Sequence, residues 1–234
     1  QDPRARHPHG SQAQRTRIVN RPEVALVVLE NTANLAGGTV ADPDLMRATI
    51  GAAHEAGLRV HVDGARIWNA AVAKGVEPRE VARGADTLMA CLSKGLSCPV
   101  GSLLFCSKEQ IREARRYRQL FGGGMRQAGI LAAAGRVALA RMRERLADDH
   151  AHARLLFEAL ASAPEVDATP PETNIVVADL GHRMAVDVVG ALGSRSILAG
   201  ALGRHTLRIV THNDVTSEDC ERAAIQRFGL AQTV

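Results

Sequence analysis

Short apolar runs alternate with helix-forming runs along the first half of this 234-residue sequence. β-Branched, apolar patterning predicts strands at residues 24–29, 59–62, 87–92 and 100–105, the first of them a buried strand. Helix start and stop signals predict helices at residues 44–56, 67–74 and 108–120, and a helical turn at 77–83. Asp42 is expected to cap the first helix, with Pro43 at its first position, and Gly75 to close the second. Because short connections join the alternating elements, we predict an α/β fold with a parallel or mixed sheet.

The second half of the sequence predicts a smaller α/β unit. An alanine- and leucine-rich helix is expected over residues 127–146 and another helix over 149–161. Strands at 175–180 and 206–210 then alternate with helices at 185–192 and 217–228. We therefore predict a large domain over residues 1–146, with its last helix between the domains, and a small domain over 147–234. Residues 1–22 are polar and carry three prolines, which predicts a loop or a frayed terminus.

Composition excludes several classes of protein. The net charge of +4 is mild, and the arginines are spread along the chain, so nucleic-acid binding is not predicted. No apolar run approaches the roughly eighteen residues that a membrane span needs, and residues 1–10 lack a hydrophobic signal core. We therefore expect a cytoplasmic protein. The four cysteines form no CxxC pair and have no histidine at zinc spacing, so we expect reduced packing residues and no metal.

Lys94 is the first candidate for chemistry. Lysine occurs only at Lys74, Lys94 and Lys108, and Lys94 lies between two small residues just after a predicted strand. A lysine nucleophile must be desolvated or held near positive charge, and a strand end between small residues predicts burial and steric room. This position suits a Schiff base with pyridoxal phosphate (PLP). Taken alone, the tripeptide is weak evidence and is far more typical of a surface lysine in a loop.

Asp63 strengthens that hypothesis, because it ends the preceding strand. A carboxylate there needs a partner, and a protonated pyridine nitrogen would supply one. The alternative is a helix N-cap, since Asp63 and Gly64 precede an apolar stretch. In parallel sheets, ligands bind beyond the carboxyl ends of the strands, so we expect Asp63 and Lys94 to face one site.

Three arginines are candidates for binding anions. Arg66 follows Asp63 closely enough to share its pocket, either on the cofactor's phenolic oxygen or on a substrate carboxylate, unless it is an exposed helix-start residue. Arg126 follows three glycines, a weak signal for a phosphate-binding loop. Arg208 lies within an apolar strand and needs an anionic partner, which could be a substrate carboxylate or a structural carboxylate.

Six segments in order along the chain resemble the low-specificity L-threonine aldolases, PLP enzymes of the aspartate-aminotransferase-like fold. They are residues 29–32 (LENT), 61–67 (HVDGARI), 91–96 (CLSKGL), 99–104 (PVGSLL), 122–127 (GGGMRQ) and 207–212 (LRIVTH). The resemblance runs from about residue 16 to the end. It implies an aspartate-aminotransferase-like, mostly parallel PLP-binding domain followed by a smaller α/β domain. It also implies a homodimer or homotetramer and a small β-hydroxy amino acid as substrate.

The resemblance also implies roles for individual residues. Lys94 would form the Schiff base, with Ser93 beside it among the cofactor-binding residues, and Asp63 would contact the pyridine nitrogen. Arg66 would lie near the cofactor oxygen and the substrate carboxylate, Arg208 would bind that carboxylate, and Arg126 would lie near the phosphate, where it could reach across a subunit interface. The reaction implied is retro-aldol cleavage of L-threonine or L-allo-threonine to glycine and acetaldehyde.

Two departures from the resembled family keep alternatives open. Gln119 stands where a lysine is common, three residues before the glycine triplet. The N-terminal third of the family, with its Gly-Thr phosphate loop and ring-stacking histidine, has no counterpart here, which predicts a fragment or a truncated product. The alternatives are another β-eliminating lyase or a transaminase on the same fold, or a catalytically inactive remnant that serves only as a dimerisation partner or has no function.

Overall fold

The computed structural model describes residues 23–225. The loop predicted over residues 1–22 and the end of the helix predicted over 217–228 lie outside the described residues.

A four-stranded sheet forms the first half of the fold. Its strands are β1 (Leu26–Glu30), β2 (Arg59–Gly64), β3 (Thr87–Cys91) and β4 (Ser102–Phe105), in the order β1-β2-β3-β4. The first three are parallel, and β4 runs antiparallel to β3. The register aligns Glu30 with Asp63 and Asp63 with Met89, so the carboxyl ends of β1, β2 and β3 share one edge. The mostly parallel sheet predicted from the sequence is confirmed.

Helices join these strands with the boundaries that their capping residues predict. They are α1 (Pro43–Glu55), α2 (Ile67–Lys74), α3 (Pro78–Val81) and, after β4, the solvated helix α4 (Lys108–Leu120). The Asp42 side chain accepts hydrogen bonds from the first backbone N–H groups of α1, as predicted. Gly75 ends α2 in the left-handed region, at φ 64°, which favours glycine.

The core of this half lies between the sheet and its helices. The side chains of Val62, Ile67, Ala90 and Leu96 are buried there. The expectation that strand 24–29 is buried is wrong, because the side chain of Val28 in β1 is 59% exposed. β1 is the edge strand of the described sheet, and its residues Leu26, Val28 and Glu30, which share one face, are exposed.

The continuous helix predicted over residues 127–146 is also wrong. Two helices are present, α5 (Gly129–Arg141) and α6 (Leu146–Ala161), and residues 142–145 form a turn between them. The turn places the Arg143 guanidinium over the Trp68 ring, 5.9 Å from its centroid, and buries Leu146 completely in the first core. Packing interrupts the helix there, because residues 142–145 contain no proline or glycine that would break it locally.

The second half of the fold carries an antiparallel sheet. Its strands are β5 (Asp167–Thr169), β6 (Ile175–Asp179), β7 (Gly200–Ala201) and β8 (Thr206–Val210), in the order β5-β6-β8-β7. Helices α7 (Ala185–Gly193) and α8 (Ser217–Ile225) pack with α6 on this sheet around a second core. The sequence did not predict β5 and β7, which have three and two residues. The domain boundary after residue 146 stays a prediction.

Candidate active site at the strand ends

The candidate site lies at the carboxyl edge of the parallel strands. Asp63 is the next-to-last residue of β2, and Lys94 follows the end of the neighbouring strand β3. The register pairs Gly64 with Ala90, so the chain needs only four more residues to reach Lys94. The parallel topology therefore brings both residues to the edge where such sheets bind ligands.

A tight loop presents Lys94 at this edge. The loop is closed by backbone hydrogen bonds from Leu92 N to Gly101 O (2.9 Å) and from Cys98 N to Leu92 O (3.0 Å). Ser93 and Lys94 are exposed, so the predicted burial of Lys94 is wrong for the described residues. The loop turns back at residues 95–98, and its apolar members Leu96 and Cys98 fill the core in place of the lysine. The Lys94 amine is consequently accessible to an aldehyde.

Gly95 lets this loop lie close to the structure below it. A Cβ atom at Gly95 would lie 2.7 Å from Leu146 Cδ2 and 3.1 Å from Asn69 Oδ1. These distances are shorter than ordinary van der Waals contacts. A larger residue after Lys94 would therefore displace the buried Leu146 side chain, so packing favours glycine there.

Asp63 holds a half-buried carboxylate at the same edge. Its Oδ1 accepts a hydrogen bond from Ala65 N (3.0 Å), and within residues 23–225 its Oδ2 has no hydrogen-bond partner. The alternative that Asp63 caps the next helix is wrong, because Arg66 occupies the N-cap position of α2 and no side chain caps it. Asp63 therefore keeps one carboxylate oxygen free to pair with a cationic group.

Arg66 and Arg208 converge on a single acceptor. Arg66 Nη1 donates to Asn34 Oδ1 at 2.9 Å, and Arg208 Nη2 donates to the same oxygen at 2.8 Å. Arg66 precedes α2 beside the first sheet, whereas Arg208 lies in β8 of the second sheet. The two sheets thus meet at a pair of guanidinium groups.

The positive charge of this pair is only partly balanced. Burial and the neighbouring Arg208 lower the pKa of Arg66, and the negative charges of Glu30 and Asp63 partly offset this lowering. Burial also lowers the pKa of Arg208, and its buried Nε has no hydrogen-bond partner. Two desolvated cations favour an anion, and a carboxylate can accept hydrogen bonds from both guanidinium groups.

Asn34 was missed by the sequence reasoning. It lies in the loop after β1, at the same edge as Asp63, and it follows the LENT segment by two residues. The signal was available, because a polar residue just beyond a parallel strand is a candidate for the site. Its contact with Arg208 joins residues 174 positions apart, which no local pattern predicts.

Within residues 23–225, neither Arg126 nor Gln119 makes a hydrogen bond or ion pair with this cluster. Arg126 is exposed in the segment after α4, and within the described range it makes no hydrogen bond or ion pair. The side chain of Gln119 lies over the glycine triplet, and a Cβ at Gly124 would collide with its Oε1. The predicted role of Arg126 at a phosphate therefore stays a prediction.

Buried side chains support the edge from below. Trp68 Nε1 donates to Cys91 O at 3.0 Å, which holds the end of β3, and the Cys91 thiol lies 3.2 Å from the Ser93 hydroxyl. Asn69 Nδ2 lies 3.2 Å from His150 Nε2 and also donates to Asn174 Oδ1 at 3.3 Å. Burial, and to a smaller extent Arg154, lowers the pKa of His150 to about 4. This network joins α2 and α6 to the residue that precedes β6, and its member Asn69 lies against Gly95.

The residues at the edge fit part of pyridoxal phosphate. The accessible Lys94 amine suits the aldehyde, and the free Asp63 oxygen suits a protonated ring nitrogen. The phosphate has no corresponding partner within the described cluster. Within residues 23–225, no group of three or more His, Cys, Asp or Glu side chains could hold a metal ion. None of the helices between residues 23 and 225 combines the length and the apolar character that a bilayer span requires.

The fold and the site together define a class: α/β proteins that gather a lysine and a carboxylate at one edge of a parallel sheet, with a pair of arginines beside that edge. A family model described as beta-eliminating lyase matches residues 11–182, and the chain belongs to this family. Members of the family depend on pyridoxal phosphate.

Relatives agree with this assignment. The chain is 41% identical to the low specificity L-threonine aldolase of Escherichia coli K12 over 88% of its length and 61% of that protein. It is 37% identical to the probable low-specificity L-threonine aldolase 2 of Arabidopsis thaliana over 87% of its length and 59% of that protein. The chain therefore spans about three fifths of these relatives.

Solved structures share the fold. A putative L-allo-threonine aldolase from Listeria monocytogenes matches with a TM-score of 0.76 at 17% identity, over 91% of this chain and 62% of that one. A threonine aldolase from Leishmania major matches with a TM-score of 0.77 at 18% identity, over 96% of this chain and 66% of that one. The predicted fold class is confirmed.

Proposed function

We propose that the protein is a PLP-dependent aldehyde lyase that cleaves L-threonine or L-allo-threonine to glycine and acetaldehyde. The observation that carries the proposal is the convergence of Arg66 and Arg208 beside the edge that bears Lys94 and Asp63. This arrangement offers an amino-acid carboxylate two cations at a site that also has an accessible amine. The names of the relatives support threonine as the substrate.

Each side chain has a task in this proposal. Lys94 would bind the aldehyde of the cofactor, and Asp63 would keep the ring nitrogen protonated. When bound, the cofactor supplies an electron sink for the negative charge that develops at Cα. Arg66 and Arg208 would bind the substrate carboxylate and so fix the orientation of the Cα–Cβ bond. Ser93 would contact the cofactor beside Lys94. In the overall reaction the β-hydroxyl loses its proton, the Cα–Cβ bond breaks to release acetaldehyde, and Cα gains a proton to give glycine.

The test is product analysis after the protein is supplied with pyridoxal phosphate. With L-threonine or L-allo-threonine we expect equimolar glycine and acetaldehyde, and we expect the Lys94→Ala variant to form neither. Lys108→Ala, which changes an exposed lysine at the start of α4, is the matched control and should retain activity. Borohydride trapping followed by peptide mapping should label Lys94, and a label elsewhere would contradict the assignment.

A β-elimination activity is the second candidate, because the matching family model carries that description. Such an enzyme would release pyruvate and ammonia from serine. Transamination would instead convert a keto acid to an amino acid. An inactive remnant would give none of these products and no visible absorbance from bound cofactor, so one set of assays separates the four outcomes.

We also infer a homodimer or homotetramer in the cytoplasm. The side chains of Phe121 after α4 and Ile130 in α5 are 80% and 76% exposed, and exposed apolar side chains of this size favour contact with another subunit. Arg126 lies between them in the chain, so such a contact would bring it to an interface. The four cysteines are free, as in a reducing compartment. Light scattering after size-exclusion chromatography tests the assembly, and a monomer would contradict it.

A further inference from the structure

The loop after β1 holds Asn34 in a defined position. Asn34 N donates to Glu30 Oε1 at 3.2 Å, and the adjacent Ala33 pairs with Thr39 across the loop through Ala33 N and Thr39 O (2.9 Å). Thr173 Oγ1 donates to Gly38 O at 2.7 Å and so ties the loop to the second half of the fold. The backbone of the loop that carries Asn34 is therefore held by both halves of the molecule.

The side-chain oxygen of Asn34 holds two cations together. Arg66 and Arg208 each donate one N–H to Asn34 Oδ1, at 2.9 and 2.8 Å. Two guanidinium groups that share one acceptor lie close to each other, and their mutual repulsion opposes this arrangement. A shared acceptor offsets part of that cost and fixes the separation of the two groups.

The chemistry of the acceptor matters as much as its place. An amide oxygen accepts both hydrogen bonds but carries no net charge. An aspartate at position 34 would satisfy the same donors and would also neutralise one of the cations. With asparagine, the pair keeps its charge, and the buried Arg208 Nε still lacks a partner.

We propose that Asn34 is a positioning residue for carboxylate recognition: it fixes the two guanidinium groups in place while leaving their charge for the carboxylate of an amino acid. The inference rests on the proposed function in one respect, the identity of the ligand as an amino acid. Because the Asn34 amide is uncharged, the two guanidinium groups keep the positive charge that favours ligands with a carboxylate.

The test compares Asn34→Asp and Asn34→Ala with the parent protein, with pyridoxal phosphate supplied to all. Asn213→Asp adds the same charge at an exposed position and is the matched control. Binding of glycine and of glycinamide, which lacks the carboxylate, is measured by calorimetry, and the midpoint of thermal unfolding by scanning fluorimetry. We expect Asn34→Asp to weaken glycine binding by roughly tenfold or more, without lowering the midpoint, and to leave glycinamide binding within about threefold.

The order of the two variants discriminates between the possible roles. We expect Asn34→Ala to weaken glycine binding less than Asn34→Asp, because alanine removes the shared hydrogen-bond acceptor but adds no negative charge. A purely structural acceptor predicts the reverse order, since aspartate retains both hydrogen bonds. That reverse order, or an equal loss of glycine and glycinamide, would overturn the proposal. If Asn34→Asp fails to fold, the ratio of glycine to glycinamide affinity in Asn34→Ala still decides, because only the proposal predicts that it falls.

These measurements separate the inference from the proposed function. A protein that binds glycine as expected but does not cleave L-threonine keeps the role of Asn34 and loses the proposed reaction. A protein that cleaves L-threonine while Asn34→Asp binds glycine as the parent does loses the role of Asn34 and keeps the reaction.

Discussion

A buried chain of hydrogen bonds requires His150 to be neutral. The Thr211 carbonyl can only accept, so Asn174 must donate to it through Nδ2, at 2.8 Å. Asn174 Oδ1 then accepts from Asn69 Nδ2 at 3.3 Å, and the same amide nitrogen faces His150 Nε2 at 3.2 Å. Nε2 must therefore accept, and a protonated imidazole would place two donors against each other.

The lowered pKa of His150 determines how strongly the free energy of unfolding depends on pH. Burial lowers its pKa from 6.5 to about 4, so the unfolded chain binds a proton more readily than the folded protein does. Its contribution to stability is present above about pH 6.5 and is lost as the pH falls towards 4. Between pH 7.5 and 5.0 the proton linkage of this one group removes about 2 kcal/mol from the free energy of unfolding.

Urea unfolding at pH 7.5 and 5.0 tests this value. Glutamine at position 150 can accept the hydrogen bond from Asn69 and does not titrate. We expect the parent protein to lose about 2 kcal/mol more than the His150→Gln variant between the two pH values. His182→Gln, at an exposed histidine, should instead follow the parent. Equal losses in the parent and in His150→Gln would refute the hydrogen-bond assignment and the lowered pKa together.

The remaining predictions concern packing, substrate binding and a helix cap. Gly95→Ala places a Cβ 2.7 Å from Leu146 and should lower the free energy of unfolding, measured with urea, by about 1–3 kcal/mol. Its control, Gly51→Ala, meets open space within α1 and should raise the free energy of unfolding by about 0.5–1 kcal/mol in the same assay. Arg208→Lys removes the planar fork and should raise the KM for L-threonine about tenfold in a steady-state assay while changing kcat little; an unchanged KM would contradict its role. Asp42→Ala removes the cap of α1 and should cost about 1 kcal/mol by urea unfolding, and no loss would show that the cap is dispensable.

Features governed by neighbouring residues could be predicted from the sequence. The cap at Asp42, the first-turn proline and the closure at Gly75 act within a few residues, and the structure has all three. The common edge of Asp63 and Lys94 follows from strand order, because parallel neighbours joined by helices end at the same side. The packing reason for glycine beside Lys94 lies instead in Leu146, which is 51 positions further along the chain.

The sequence by itself determined the alternation of strands and helices, the parallel sheet and the residue types available at its edge. Only the tertiary structure decided that Arg66 and Arg208 share the Asn34 oxygen, that the helix breaks before Leu146 and that Lys94 is exposed. The physical reason is the separation along the chain over which each effect acts. Capping and periodicity depend on residues within a turn or two, whereas charge pairing and burial depend on which distant segments meet when the two sheets pack together.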